Sequence, residues 1–108
     1  FLLDIPFNFD QYSLRDDALA FVEVNATRIR EERVNKVVLE GRGDEVGTAD
    51  YNLVLGERRA REVKRYLQNL GLESSSMRVV SYGKERPLCF DHTMDCWQLN
   101  RSVRIVVE

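Results

Sequence analysis

The sequence predicts an α/β fold, an α+β sandwich in the order β-α-β-α-β-β, with two helices packed on one face of a mixed sheet of about four strands. Three observations predict it. Two segments carry apolar residues at helical spacing, the short segments around them alternate apolar and polar residues, and 108 residues suffice for one hydrophobic core but not for two. A single domain over residues 1–108 is therefore expected.

The chain opens with Leu3, Ile5 and Phe7 in alternation, a short strand that Pro6 confines to a sheet edge or to its own end, because proline has no N–H to give a ladder. Ser13 followed three residues later by Asp16 is a capping-box signature. Leu14, Ala18, Val22, Ala26 and Ile29 then recur at helical spacing, giving a first helix over about 14–32. Val37 and Leu39 alternate with Lys36, Val38 and Glu40 in a half-buried strand that stops at Gly41. The loop 41–48 holds three of the six glycines. Thr48 can cap a second helix of about 22 residues, and Gly71 stands where a C′ glycine ends such a helix. Met77 to Tyr82 reads as a third strand, and Val103, Ile105 and Val107 alternate with Ser102, Arg104 and Val106 as a fourth. The connection 83–100 reads as irregular, and its length marks it as functional or stapled.

A composition of 44% hydrophobic and 31% charged residues is that of an ordinary folded domain. The formal charge of −2 leaves no long-range positive field to gather nucleic acid or anionic lipid. The basic run from Glu57 to Arg65 contains glutamates and no aromatic platform, so it reads as a solvated helix face. No apolar run approaches the roughly 20 residues that span a bilayer. The start, Phe1-Leu2-Leu3-Asp4, has neither initiator Met nor basic signal head, as expected of a mature or excised fragment whose export signal or tether lies upstream. Catalysis finds little support: the adjacent acids Asp44/Glu45 and Asp16/Asp17 do not face each other across a scissile bond, and the single histidine, His92, reads as a loop residue in water. Cys89-x-x-His92-x-x-x-Cys96 supplies only three good ligands, short of a zinc site, and no metal or cofactor is expected.

The informative residue is an arginine. At about 100° per residue, Asn52, Leu55, Arg59, Val63 and Leu67 fall in one stripe of the second helix, so Arg59 sits among core-facing residues. A guanidinium half out of water requires an anion or another acceptor. Because helical side chains lean toward the N-terminus, Arg59 leans toward the loop carrying Asp44. Two readings follow. Asp44 and Arg59 form a structural salt bridge, or they stand apart in a cleft and bind the opposite charges of one ligand, Asp44 an ammonium and Arg59 a carboxylate. The nearby helix N-terminus favours that carboxylate, and Asn52 can donate and accept beside it.

Gly41-x-x-Asp44-x-x-Gly47-Thr48-x-x-Tyr51-Asn52-x-x-Leu55-x-x-Arg58-Arg59-Ala60-x-x-Val63 resembles the OmpA-like domain, the peptidoglycan-binding module of porin-like proteins, peptidoglycan-associated lipoproteins and flagellar-motor stator subunits. Phe7-Asn8-Phe9-Asp10, Ser81-Tyr82-Gly83-Lys84-Glu85-Arg86-Pro87 and Asn100-Arg101-x-Val103 extend the match over nearly the whole chain, and the pattern looks most like the lipoprotein branch. The resemblance implies the β-α-β-α-β-β fold and non-covalent, non-enzymatic binding of the peptidoglycan stem peptide through meso-diaminopimelate. The zwitterionic end would lie between Asp44 and Arg59 with Asn52 in contact, and Phe9, Asp10, Thr48 and Leu55 would line the pocket. It also implies a place on the periplasmic side of the outer membrane of a Gram-negative bacterium, anchoring that membrane to the wall. The alternative roles are binding of Tol-system proteins and a stator-type anchor.

Most members carry Gly-His/Tyr/Asn-Thr-Asp where this chain has Gly41-Arg42-Gly43-Asp44. The departure removes a hydroxyl, frees the loop backbone and is expected to add the Arg42 charge near the pocket mouth. The Arg42-Gly43-Asp44 triplet, which elsewhere serves as an integrin signal, reads as a by-product of these changes. A Cys89–Cys96 disulfide suits the implied periplasmic setting, with free thiols as the alternative, and Trp97 is expected to pack beside it.

Overall fold

The computed structural model describes residues 2–108. Its elements are β1 (Ile5–Pro6), α1 (Asp16–Glu31), β2 (Val37–Arg42), α2 (Ala49–Asn69), β3 (Met77–Gly83), α3 (Met94–Asn100) and β4 (Ser102–Val107), with a short 3-10 turn at Ser74–Ser76. The strands form one mixed sheet in the order β1-β4-β2-β3, β2 running parallel to β3 and antiparallel to β4. Pro6 stands on the edge strand, as its missing N–H requires.

One core joins both long helices to the sheet. Ala18, Val22, Ala26 and Ile29 of α1 and Ala60, Val63 and Leu67 of α2 pack with Val37, Leu39, Val103 and Ile105, which alternate along β2 and β4. Val107, expected to continue this alternation inward, is exposed at the strand's end. Thr48 caps α2 by accepting from Tyr51 N–H at 3.1 Å, and Gly71 follows the helix with φ +102°. Two glycines bring α2 onto the sheet: a Cβ on Gly41 of β2 would stand 1.8 Å from the carbonyl oxygen of Gly56 in α2. That close approach sets the height of the first half of α2 over the end of β2, where Asp44 follows.

Three expectations are corrected. The first helix begins at Asp16 with Arg15 as N-cap and no side-chain cap, so Ser13 and Asp16 do not form a capping box. Ser13 lies two residues before the cap, while Arg15 ties down Asp17 in the first turn at 2.6 Å. The connection 83–100 is not wholly irregular, because Thr93 accepts from Cys96 N–H and starts the seven-residue helix α3. Arg42 turns away from any pocket mouth: it is buried, paired with Glu40 at 2.9 Å, bonded to the Arg86 carbonyl and stacked on Tyr82. β2, buried at five of its six residues rather than half-buried as expected, carries its arginine where Glu40 supplies the counter-charge.

The Cys89–Cys96 disulfide is present, with Cα atoms 5.4 Å apart, and so the two cysteines are not metal ligands. Asn25, buried in α1, donates to the Leu3 carbonyl and accepts from Leu3 N–H, both at 2.8 Å, fastening the N-terminal segment as a neighbouring strand would. Gly41→Ala is expected to lower unfolding stability by about 3 kcal/mol or more in chemical denaturation, since backbone must move to admit the methyl group. Reduction of the disulfide is expected to cost about 2–3 kcal/mol in the same experiment.

Candidate functional site

Four segments meet at the C-terminal end of β2. The loop after β1 brings Phe9 and Asp10, the turn after β2 brings Asp44, the first half of α2 brings Asn52, Leu55 and Arg59, and the residue before β4 brings Arg101. The first six border one cleft of about 380 Å³, together with Val46, Gly47 and Tyr51. Of the residues expected there, only Thr48 is not on its wall; it caps α2 instead.

Arg59 is 1% exposed. Its guanidinium donates to three backbone carbonyls: Nε to Gln11 at 2.7 Å, Nη1 to Arg42 at 2.9 Å and Nη2 to Asn8 at 2.9 Å. It also lies over the Phe7 ring, 5.4 Å from the centroid. None of these partners carries a charge. Desolvation therefore pulls the Arg59 pKa down to about 10, Asp44 opposing that fall and Arg101 adding to it. The group stays cationic at neutral pH. A guanidinium has five N–H donors, so two remain for a guest.

Asp44, 4% exposed, does not bond Arg59. One carboxylate oxygen accepts from Val46 N–H at 2.8 Å, and the other accepts from Arg101 Nε at 2.5 Å. The simple Asp44–Arg59 salt bridge, one of the two readings of the sequence, is not the arrangement found. Arg101 is the residue that sequence reasoning did not place in the site, though it belongs to the Asn100-Arg101-x-Val103 match; its guanidinium also lies 5.0 Å from the Phe9 centroid. Arg59, Asp44 and Asp10 border the cleft, and Arg101, bonded to Asp44 from outside that lining, balances the second carboxylate, so the charges suit a zwitterion. Tyr51 donates to Asp10 across its rim, which holds the Tyr51 phenol above its usual pKa.

Asn52 does not keep both polar functions free. Its amide nitrogen donates to the Val46 and Thr48 carbonyls at 2.8 and 3.0 Å, leaving the side-chain oxygen as an acceptor. That oxygen lies where a side chain at residue 43 would go, since a Cβ on Gly43 would fall 2.2 Å from it. Gly43 thus permits the loop to close on Asn52, and its N–H is held by the Gly83 carbonyl at 2.9 Å. Arg42 and Asp44, the ends of the integrin-like triplet, are both buried.

Residues 6–95 match the model of the OmpA family. The chain belongs to the OmpA family. It is 41% identical over 99 residues to a peptidoglycan-associated lipoprotein of Pseudomonas aeruginosa, an alignment covering 92% of this chain and 58% of that relative. A peptidoglycan-associated lipoprotein of Pasteurella multocida is 37% identical over 90% of this chain and 65% of its own length. The chain therefore spans somewhat less than two thirds of these OmpA-family relatives. Among solved structures, the peptidoglycan-associated lipoprotein from Burkholderia pseudomallei superposes with a TM-score of 0.89 at 35% identity, over 97% of this chain and 89% of that one. The C-terminal domain of Helicobacter pylori MotB shares the fold alone, with a TM-score of 0.87 at 21% identity over 97% of this chain and 83% of that one.

Beside the cleft, Glu45 is held by His92 Nδ1 at 2.6 Å and by the Trp97 indole N–H. His92 is exposed as expected but is not simply a histidine in water. Its pKa is raised by the Glu45 hydrogen bond, and that of Glu45 is lowered by the same contact. The pair contributes fully below the unfolded histidine value of about 6.5 and is lost as pH rises through the higher folded value; it is also lost when pH falls through the lowered Glu45 value. An NMR titration is expected to show a His92 pKa above about 6.5 that falls back to it in Glu45→Gln.

Proposed function

We propose that this domain is a binding module, not an enzyme, and that it holds the peptidoglycan stem peptide non-covalently through meso-diaminopimelate. In this reading it fastens the outer membrane to the cell wall from the periplasmic side, by way of a tether outside these residues. The observation that carries the reading is Arg59: a buried cation on the wall of the 380 Å³ cleft, bonded only to neutral carbonyls, with Asp44 on the same wall. The match to peptidoglycan-associated lipoproteins supports it.

The free end of diaminopimelate carries an ammonium and a carboxylate on one carbon. The carboxylate meets the two remaining N–H groups of Arg59, a charge-assisted pair in a partly dry site. The ammonium meets the Asp44 carboxylate and the Asn52 side-chain oxygen, both acceptors. The guest's ammonium and Arg101 then share Asp44, which has lone pairs for both. Lysine, the common replacement for diaminopimelate, has the ammonium but no carboxylate beside it. It leaves Arg59 without an anion.

Isothermal titration is expected to show a diaminopimelate muropeptide binding at least about 100-fold more tightly than its lysine counterpart, because the lost contact is charge-assisted and desolvated. Equal affinities would reject the assignment of Arg59. Asp44→Asn is expected to weaken diaminopimelate binding by roughly 10- to 100-fold with little loss of secondary structure. Arg59→Ala is expected to remove binding and also to destabilise the fold by a few kcal/mol, since it orphans two carbonyls of the loop after β1 and one at the end of β2. Denaturation curves beside sacculus pull-downs separate the two effects.

A further inference from the structure

A second cleft, of about 220 Å³, lies on the far side of the Asp44 loop, and Asp44 borders both. The 83–100 connection lines the rest of it, with Lys84, Phe90, His92 and Trp97, and Glu45 borders it next to Asp44. Its chemistry differs from that of the first cleft. No buried cation waits there for an anion; aromatic rings stand among charged groups of both signs.

Three features make this a built surface. The disulfide at Cys89 fixes the backbone beside Phe90, yet Phe90 is 79% exposed and serves no core. Holding an apolar ring in water on a pinned loop contributes nothing to folding. Glu45 takes both the Trp97 indole N–H and His92 Nδ1, so the indole plane and the carboxylate are fixed relative to each other. Asn100 clamps the approach to the loop by accepting from Leu88 and Cys89 N–H and donating to the Cys89 carbonyl. Rigid aromatic faces beside fixed groups that donate and accept suit a guest with one apolar face and a rim of hydroxyls and amides. A pyranose ring is such a guest, and mixed charges favour a neutral one.

We infer that this cleft is a sugar subsite, taking an N-acetylated sugar of the glycan strand to which the stem peptide is joined. The inference rests on the diaminopimelate reading of the first cleft. In peptidoglycan, two residues and a lactyl group separate diaminopimelate from the sugar, a reach on the order of 10 Å when extended. Two clefts that share Asp44 lie within such a reach. The domain then reads peptide and glycan together, and the second contact gains from the effective concentration set by the first.

Trp97 is the single tryptophan of the chain, so its fluorescence reports from this cleft alone. The protein is titrated with the tripeptide L-Ala-γ-D-Glu-meso-diaminopimelate, with the same tripeptide carrying its N-acetylglucosamine–N-acetylmuramic acid disaccharide, and with the disaccharide alone. The expected result is that the disaccharide-tripeptide binds about tenfold more tightly than the tripeptide. Only sugar-bearing ligands should change Trp97 emission, and Phe90→Ala should remove the gain while leaving tripeptide affinity unchanged. Equal affinities for the two peptides, or a gain that survives Phe90→Ala, overturns the subsite. If the tripeptide fails to bind, the reading of the first cleft fails separately, and absence of any emission change with the disaccharide overturns the subsite as well.

Discussion

A guanidinium 1% exposed to solvent, wrapped by three carbonyls and touching no carboxylate, is the constraint around which this domain is arranged. Burying the cation is costly, and neutral acceptors offset only part of that cost. Its carbonyl partners belong to the loop after β1 and to the end of β2, so Arg59 also fixes the walls of the cleft it borders. One side chain thereby couples the fold to the site. A charge left without a counter-ion at the edge of a cavity is electrostatically prepared for an anion, with no reorganisation needed when the guest arrives.

Asp44 is prepared from the opposite direction. The connection between β3 and β4 delivers Arg101 to its carboxylate, and Trp97 and His92 to the carboxylate of the next residue, Glu45. The Cys89–Cys96 disulfide and the Asn100 clamp hold that segment in place. The loop carrying Asp44 is thus gripped by a surface element rather than by the core. Preorganisation of this kind reduces the ordering cost of binding, which offsets the loop freedom that Gly43 would otherwise bring.

Much of this was legible in the sequence because it follows from local periodicity. Helical spacing alone placed Arg59 in the stripe of Leu55, Val63 and Leu67. Alternation located the paired strands, the missing N–H of Pro6 set it on an edge, and Thr48 and Gly71 marked the ends of α2. What failed to show depends on contacts distant in sequence. The carbonyls that hold Arg59 lie 17, 48 and 51 residues away, and Arg101 meets Asp44 across 57. No pattern within a helix or strand encodes such meetings. The direction of Arg42 was hidden because it turns on Glu40 and Tyr82, neighbours seen only once the sheet is assembled. α3 escaped because seven residues present too few turns for a period to emerge, although Thr93 is a legible cap.

In the proposed complex, Arg59 and Asp44 divide the two charges of one guest between them. A crystal structure of the domain with meso-diaminopimelate tests it most directly. The expected result is the ligand's carboxylate within hydrogen-bond distance of Arg59 Nη atoms and its ammonium on the Asp44 carboxylate, with the three carbonyl bonds of Arg59 retained. A ligand seated outside the cleft, or one whose carboxylate rests on Arg101 while Arg59 keeps only its carbonyls, would contradict it.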